Sequence, residues 1–257
     1  MGLFSKFTEK KVCDICGGQI GLMGNRKLED GNLCKECAAK LSPFFSDRKN
    51  STVAEIREQL DYREANREAV AAFNTTKSMG SNPKLLIDED AGKFMVTRAR
   101  DLAEANPDVL EFSQVTGVDM GVSESKSEEK RRDKDNKLVS YVPPRYKDSY
   151  NFKINIRVNH PYFDTISFQV NPSSISTTPE PVIAARIPDP KTNREYKEYE
   201  TESNEIKNIL TRGRAKARTA ARAAAAPKTA QTCPWCGATC IPDASGCCEY
   251  CGGAMNG

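Results

Sequence analysis

Residues 13–37 read CDICGGQIGLMGNRKLEDGNLCKEC and contain two Cys-x2-Cys pairs separated by 17 residues. This spacing is typical of a structural zinc site, because each pair can bind one ion through a tight turn. Two such pairs complete a tetrahedral shell of four thiolates. Gly17 follows the first pair, where the backbone must turn back toward the sulfur atoms. The stretch therefore predicts a zinc site formed by Cys13, Cys16, Cys34 and Cys37.

The same pattern returns near the end of the chain, where two further Cys-x2-Cys pairs are separated by 11 residues and each is followed by glycine. Disulfides are the alternative interpretation, but the ten cysteines form two groups, whereas a disulfide scaffold would distribute them along the chain. Cys247 directly precedes Cys248 and cannot easily share its geometry, and the roles of Cys240 and Cys247 stay open. We predict a second zinc ion with the ligands Cys233, Cys236, Cys248 and Cys251.

The composition predicts a soluble chain with a modest core, because 38% of its 257 residues are hydrophobic and 28% are charged. No apolar run approaches the roughly 18 residues of a membrane span, and the first residues lack a hydrophobic signal core. Gly2 fits the start of a lipidation motif, but Lys6 stands where that motif needs Ser or Thr. Together with the thiol clusters, these features indicate a reducing, cytoplasmic compartment.

Residues 1–50 are assigned to a small zinc module of the treble-clef or zinc-ribbon type. Within this module, Asp30 and Gly31 form a strong hairpin turn signal between the two cysteine pairs. The second pair leads into a short helix, whose N-terminus favours negatively charged thiolates. The order of knuckle, hairpin and helix therefore predicts a treble-clef-like arrangement.

Residues 51–79 are predicted to contain a connecting helix, which begins at the capping box of Thr52 and Glu55 and runs from about residue 53 to residue 72. Its many charged residues, among them Arg63, argue against full burial. The apolar residues fall into two half-stripes on opposite faces, namely Val53, Ile56 and Leu60 on one and Tyr62, Ala69 and Phe73 on the other. We therefore expect the helix to couple the zinc module to a second body.

Residues 80–211 are predicted to form an antiparallel β domain closed by a C-terminal helix. Apolar and polar residues alternate most clearly over residues 150–158, and glycine at a turn predicts a hairpin over residues 84–97. The triplet Asp88, Glu89 and Asp90 in that turn could bind calcium, but no further ligand pattern follows it, which favours a solvated turn.

Two segments of this domain are interpreted as loops. The charged run of residues 123–137 has mixed signs and is predicted to be a solvated hairpin loop. Residues 171–193 are rich in Pro and Ser and predict a loop with at most a short edge strand at residues 182–187. The closing helix, residues 194–211, has one apolar stripe, formed by Tyr196, Tyr199, Ser203, Ile206, Ile209 and Leu210.

Residues 212–231 are basic and rich in alanine, which predicts a flexible linker to a terminal zinc ribbon at residues 232–257. The net charge of the chain is only +3, yet residues 206–232 contain seven basic residues and no acidic one. The expected fold class is thus α+β and multidomain, with a zinc module at each end. The order of the strands and their closing helix resembles pleckstrin-homology-like domains.

The tracts IDEDAGKF, FSQVTG and YVPPRY lie in the β-rich middle, and the chain ends in the knuckles CPWCG and CEYCG. Together with the N-terminal stretch, these tracts resemble a bacterial zinc-ribbon family of unknown function, and the resemblance covers most of the chain. It implies the same eight ligands, with Cys240 and Cys247 outside its pattern. The family has no known activity, so the resemblance implies an architecture and not a reaction.

Catalysis is not indicated by the motifs. The single histidine, His160, precedes Pro161 and is expected to be a turn residue, since a general base needs organised partners. A shell of four thiolates leaves no open position on the metal. We therefore predict a non-enzymatic adaptor that binds a protein partner. The alternatives are a nucleic-acid binder that uses the basic linker and the terminal ribbon, and a lipid-surface binder that uses the pleckstrin-homology-like domain.

Overall fold

The computed structural model describes residues 11–177, 189–225, 230–243 and 245–255. The chain combines helices with antiparallel sheets and divides into two compact units, Met1–Ala215 and Lys216–Gly257. Within the described ranges, no helix is both long and apolar enough to span a membrane.

The first unit begins with a small module that contains the predicted hairpin and helix. Strand β1 is Arg26–Lys27, strand β2 is Asn32–Leu33, and helix α1 is Lys35–Ala39. The turn between the strands closes where the Leu28 amide donates to the carbonyl of Gly31 at 2.9 Å, which confirms the turn signal. The interior of the module contains buried aliphatic side chains, namely Ile20, Leu28, Leu33 and Leu41.

A short 3₁₀ turn, Arg48–Asn50, leads into helix α2, Val53–Ala71. The predicted capping box is present: the Glu55 amide donates to the Thr52 hydroxyl at 3.3 Å, and the Thr52 amide donates to the Glu55 carboxylate at 2.7 Å. These bonds satisfy amides that the first turn of a helix leaves without partners.

The buried face of α2 differs from the prediction. Its buried residues form one continuous stripe at spacings of three and four, namely Ile56, Gln59, Arg63, Asn66 and Val70. The expectation of two opposite apolar half-stripes, with the charged residues left in solvent, is therefore wrong for the middle of the helix. The pattern was not visible as apolar periodicity because three of the five buried side chains are polar.

Among the described residues, the middle of the chain forms two four-stranded antiparallel sheets, which agrees with the predicted antiparallel β domain but divides it into two sheets. The first sheet has the order β3-β4-β5-β6, with β3 at Lys77–Met79, β4 at Lys84–Asp88, β5 at Lys93–Thr97 and β6 at Leu110–Glu111. Helix α3, Leu102–Ala105, lies between β5 and β6 in the chain. The predicted hairpin of β4 and β5 is confirmed by its register, in which Leu86 lies opposite Met95.

The turn of this hairpin is organised by the buried carboxylate of Asp88. It accepts hydrogen bonds from the amides of Asn74 at 3.0 Å and Ala91 at 2.9 Å. These amide donors lower the pKa of Asp88, although its burial acts in the opposite direction. The Asp88 carboxylate thus stabilises the turn of this hairpin.

The second sheet is built on two long strands, β7 at Val115–Arg132 and β8 at Leu138–Val158. Strand β8 pairs with β7 on one side and, on the other, with β9 at Thr165–Gln169 and β10 at Ile175–Thr177. The alternation predicted for residues 150–158 is confirmed, because one face of β8 is buried, namely Tyr150, Phe152, Ile154, Ile156 and Val158.

Two loop predictions for this sheet need correction. The charged run of residues 123–137 is mostly strand, since β7 continues to Arg132 and only residues 133–137 form the turn. Cross-strand pairing satisfies its backbone, so charged side chains on both faces do not prevent a strand. Strand β10 lies within the predicted loop of residues 171–193, and the suggested edge strand at 182–187 falls outside the described residues.

A short 3₁₀ turn, Pro190–Thr192, precedes helix α4, Arg194–Ala225. Its predicted apolar stripe is buried at Tyr196, Ser203, Ile206 and Leu210. The ring of Tyr196 packs on the buried face of β8, with its centroid 5.2 Å from that of Tyr150 and 4.9 Å from that of Phe152. The helix thus closes the second sheet on its apolar side.

The flexible linker predicted from residue 212 is wrong over residues 212–225, which continue α4. Alanine and arginine have high helix propensity, and the first proline after residue 212 is Pro227. Gly213 does not end the helix, and its small size has a local reason: a Cβ atom there would lie 2.5 Å from the ring of Phe112. Close packing therefore requires glycine at this position.

The second unit ends in a small module with one hairpin, formed by β11 at Gln231–Thr232 and β12 at Thr239–Cys240. An isolated bridge joins Cys247 to Ala254. The buried residues of this module are three cysteines and a methionine, namely Cys233, Cys240, Cys248 and Met255.

Candidate metal centres

The first cysteine pair lies in a tight turn that is closed by backbone hydrogen bonds. The Cys13 amide donates to the carbonyl of Gly18, and the Gly17 amide donates to the carbonyl of Cys13, both at 2.9 Å. Gly17 has a φ of 71°, a conformation that side chains with a Cβ rarely adopt. The glycine that follows the cysteine pair in the sequence is therefore required by the backbone conformation of this turn.

The second pair is held by the start of α1. Cys34 is the N-cap residue, and its Sγ accepts a hydrogen bond from the Cys37 amide at 3.3 Å. The Cys34 amide in turn donates to Sγ of Cys13 at 3.3 Å. All four sulfur atoms of the group lie within 4.8 Å of one another, and they belong to Cys13, Cys16, Cys34 and Cys37.

Backbone amides at the first site favour the thiolate form of one cysteine even without a metal. Burial opposes ionisation of Cys13, but amides of Cys16, Cys34 and Ile15 donate to its sulfur and lower its pKa to about 6. Burial and the neighbouring thiols raise the pKa of Cys37. Binding of a divalent cation would displace the thiol proton of Cys37, because thiolate is the form of cysteine that binds metal.

The second cluster repeats this construction with different chain spacing. Its four sulfur atoms also lie within 4.8 Å of one another, and they belong to Cys233, Cys236, Cys248 and Cys251. In its two knuckles the Gly237 amide donates to the carbonyl of Cys233 at 2.9 Å, and the Gly252 amide donates to that of Cys248 at 2.8 Å. Burial opposes ionisation of Cys248, but amides of Tyr250 and Cys251 lower its pKa to about 6.

The two remaining cysteines occupy different surroundings. Sγ of Cys240 is buried, 3.5 Å from Sγ of Cys248 and 3.6 Å from the sulfur of Met255. The Cys247 side chain is half-buried, and its thiol donates to the carbonyl of Ser245 at 3.9 Å. Neither belongs to the four-sulfur group, so the geometry favours the same four candidates as the sequence.

The donor chemistry of both clusters fits zinc. Thiolates are soft ligands, and four of them in a tetrahedral group are typical of structural zinc or of iron–sulfur centres. Each group could hold one metal ion, and each would be closed, without a position for a substrate. Two zinc ions therefore stay the prediction for this protein.

A buried polar network next to the first cluster was missed by the sequence reasoning. The Arg63 guanidinium on α2 forms an ion pair with Asp108 at 2.7 Å, and both side chains are buried. It also donates to the carbonyl of Lys40 at 3.2 Å and to that of Asn106. The Ser42 hydroxyl donates to the second carboxylate oxygen of Asp108 at 2.8 Å. The network thus joins the zinc module, α2 and the segment before β6.

Asn66, one helical turn after Arg63, extends this network. Its amide nitrogen donates to Asn106 and to the carbonyl of Pro107, each at 2.8 Å, and its oxygen accepts from the Val109 amide at 3.0 Å. The spacing of Arg63 and Asn66, three residues apart, is the only sequence signal that could have pointed to a shared face.

An aromatic cluster joins the zinc module to the loop after β8. The ring of Phe44 lies 5.4 Å from that of Phe163, which stacks on His160 at 4.0 Å. Nε2 of His160 lies 3.0 Å from the hydroxyl of Tyr62 on α2. His160, expected to be a simple turn residue, is therefore an organised part of the packing.

Helix α2 was expected to couple the zinc module to a second body, and its contacts lie on both. Ile56 belongs to the buried cluster around the first cysteines, and Val53 and Leu60 pack against that cluster. Tyr62 meets the loop after β8, as expected for the second half-stripe. No member of this half-stripe is fully buried, whereas the stripe that contains Arg63 and Asn66 is buried along its length.

Comparison with protein families finds one match. The profile of a domain of unknown function, DUF4428, matches residues 11–59. The matched stretch contains the first four-cysteine group, the hairpin and the first turns of α2, and it fits a zinc-ribbon module. No curated protein and no solved structure matches the chain.

Proposed function

We propose that the protein is a cytoplasmic, non-enzymatic zinc-binding adaptor that docks a protein partner on a projecting β arm. The two four-cysteine groups support a structural role for a bound metal, since four thiolates would close its shell and a catalytic zinc keeps an open position. The observation that carries the proposal is the arm itself, defined as residues 127–147 of β7, β8 and their turn.

The arm extends past the body of its sheet. Strand β10 pairs with β8 only as far as Asp148, and β9 pairs only with residues 153–157. Among the described residues, the strands of the arm are therefore paired only with each other. A two-stranded hairpin without a packed face is at best marginally stable in water, so a partner that covers this arm would stabilise it.

The arm displays an apolar bulge. Glu129 pairs with Arg145, and the next residue, Lys130, pairs with Ser140, which leaves residues 141–144 of β8 unpaired. The bulge has the sequence Tyr-Val-Pro-Pro, and the side chain of Val142 is 95% exposed. Such an exposed apolar side chain on a projecting hairpin is a suitable anchor for a partner pocket.

Positive charge surrounds this bulge. The guanidinium of Arg145 lies 4.3 Å from the ring centroid of Tyr141, and that of Arg131 lies 5.8 Å from it. The arm contains seven Lys or Arg residues and four Asp or Glu residues. Arginine and tyrosine are enriched at protein interfaces, and the excess of positive charge favours a partner with an acidic surface.

The test compares native pulldowns of the full chain with those of an arm-shortened variant, followed by mass spectrometry. In the variant, residues 130–144 are replaced by Asn-Gly, a two-residue turn that joins the paired Glu129 and Arg145. We expect protein partners that survive nuclease treatment and are lost with the shortened arm. Unchanged zinc content of the variant is the folding control. Partners retained by the variant would contradict arm docking.

A nucleic-acid binder is the second candidate, and features of the second unit favour it. Lys216, Arg218 and Arg222 are exposed on the last turns of α4. Trp235 and Tyr250, at the tips of the two knuckles, are 75% and 69% exposed. Cations and exposed aromatic rings together support phosphate contacts and base stacking. Loss of all partners on nuclease treatment would favour this function over the adaptor.

A further inference from the structure

The geometry points to an anion-binding site for a ligand with two or more phosphate groups, in a cavity at one end of the first sheet. The cavity has a volume of about 540 Å³, within the range of small-molecule sites. It lies where β4 begins and β5 ends, and Lys84 stands directly opposite Thr97 in the register. The polar lining consists of Ser81, Asn82, Lys84, Thr97, Arg98 and Arg100.

This lining is rich in donors and contains no carboxylate. Among the described residues, the side chains of Lys84, Arg98 and Arg100 form no ion pair and no hydrogen bond. The Thr97 hydroxyl accepts from the Ala99 amide at 3.0 Å, which fixes the start of the loop and leaves its proton to donate. All three cations are exposed and line the same cavity, so their charges add in attracting an anion that enters it.

In two other cavities, the cations of the lining are accompanied by carboxylates. The cavity beside the first thiol cluster also has cations, but Arg63 is committed to Asp108 and Arg67 to Glu64. The cavity along α4 is lined by Arg194 together with its partner Glu198 and further glutamates. In both, carboxylates balance the cations, whereas the cavity at the end of β4 and β5 has none.

The donors of the lining suit phosphate. Guanidinium groups bind phosphate oxygens through two parallel hydrogen bonds, and Lys84 adds a point charge. Leu86 and Leu102 supply apolar lining, which suits a phosphorylated organic molecule better than an inorganic ion. Such a group could belong to a soluble phosphate ester or to a phosphorylated lipid headgroup. The inference is independent of the proposed arm docking.

Calorimetry of the full zinc-loaded chain with inorganic tripolyphosphate, at fixed ionic strength, tests the site. We expect one binding event per chain, weakened by more than about tenfold in Arg98→Ala/Arg100→Ala, since each charge-assisted bond contributes strongly. Lys84→Ala should weaken it less. The matched control Lys134→Ala/Lys137→Ala removes two exposed cations from the turn of the arm and should leave affinity unchanged.

Vesicles distinguish the two sources of phosphate. Binding to phosphatidylcholine vesicles with phosphatidylinositol 4-phosphate, stronger than to phosphatidylserine vesicles of equal charge and competed by tripolyphosphate, would assign a lipid headgroup. Tripolyphosphate binding without that preference would assign a soluble ligand. Absence of tripolyphosphate binding, or equal weakening in the control variant, would overturn the site. Zinc content and circular dichroism of each variant verify the fold.

Discussion

The two thiol clusters share a ligand pattern but differ in what surrounds them. Around the first, the buried core extends beyond the cysteines to the aliphatic residues of the hairpin and to Ile56 of α2. Around the second, the buried core consists of three cysteines and Met255. Equivalent knuckles thus occur once as part of a larger packed body and once as a nearly self-contained fold.

Cysteine spacing therefore predicts a metal site, but it does not predict how that site packs against the rest of the protein. The first module is tied to its neighbours by the Arg63–Asp108 ion pair and by the contact of Phe44 with Phe163. Loss of its metal should therefore disturb regions distant in sequence. Loss of a metal bound by the second cluster should disturb only the terminal module, because the described buried core there consists of residues of that module alone.

The largest expected effect comes from removing one ligand of each site. Cys13→Ser and Cys233→Ser should each reduce the zinc content from two ions to one, measured by metal analysis. The binding energy of a structural zinc is folding energy on the order of 10 kcal/mol, so each module should unfold. Hydrogen exchange should accelerate in Cys13→Ser also over residues 106–108 and 159–163, and in Cys233→Ser only after residue 230.

Two results would contradict this picture. Zinc content of zero or one in the unmodified chain, with disulfides found by mass mapping, would exclude two metal sites. Exchange in Cys13→Ser that stays confined to residues before 50 would show that the buried network does not couple the first module to the sheets.

The next largest effect concerns that network directly. Arg63→Ala leaves the Asp108 carboxylate buried without its cation, which should cost about 3–5 kcal/mol of unfolding free energy. The matched control is Arg67→Ala on the same helix, because its pair with Glu64 is exposed and should contribute less than about 1 kcal/mol. Urea denaturation measures both. Equal stability of the two variants would mean that the ion pair does not join the bodies.

The sequence predicted the two four-cysteine groups, the hairpins and the capping box because each depends on local chemistry. A cysteine spacing, a turn glycine and a Thr–Glu pair determine structure within a few residues. The network of Arg63 and Asp108 could not be predicted in the same way, since its members are 45 residues apart and each reads as a surface charge. Their burial depends on a partner that only the tertiary fold supplies.

The same reasoning explains the errors in the sheets and in α4. Residues 123–137 lack an apolar face, and their strand exists because a neighbouring strand pairs with it along its whole length. Residues 212–225 lack an apolar face as well, and helix propensity together with the packing of Gly213 on Phe112 continues the helix. Apolar periodicity detects a continuous buried face, and neither segment has one.

A smaller effect separates the two extra cysteines of the terminal module. Cys240→Ser places a hydroxyl beside the sulfur atoms of Cys248 and Met255, and a buried unpaired hydroxyl costs about 1–3 kcal/mol. Zinc content should stay at two, but a chelator should remove the second ion faster. Cys247→Ser should change neither quantity. Zinc loss in Cys247→Ser, with zinc retained in Cys248→Ser, would show that the ligand register is wrong.

The smallest expected effect is a pH dependence that comes from histidine, and it belongs to the first unit because His160 is the single histidine of the chain. Burial lowers the pKa of His160 below its ordinary value of about 6.5. Its geometry agrees: Nδ1 accepts from the Tyr162 amide at 3.3 Å, so a proton on Nδ1 would face another donor, while Nε2 meets the Tyr62 hydroxyl.

The direction of this dependence follows from the lowered pKa. The unfolded chain binds the proton more readily than the folded one, so the contribution of His160 is complete above about pH 6.5 and falls as the pH drops below it. The His160 side chain is only partly buried, so the loss should stay below about 1 kcal/mol. His160→Gln cannot titrate. Denaturation at pH 7.5 and 5.5 should show a smaller difference in this variant than in the unmodified chain. Equal differences would place the pH dependence elsewhere, with protonation of the thiolates at both clusters as the remaining source.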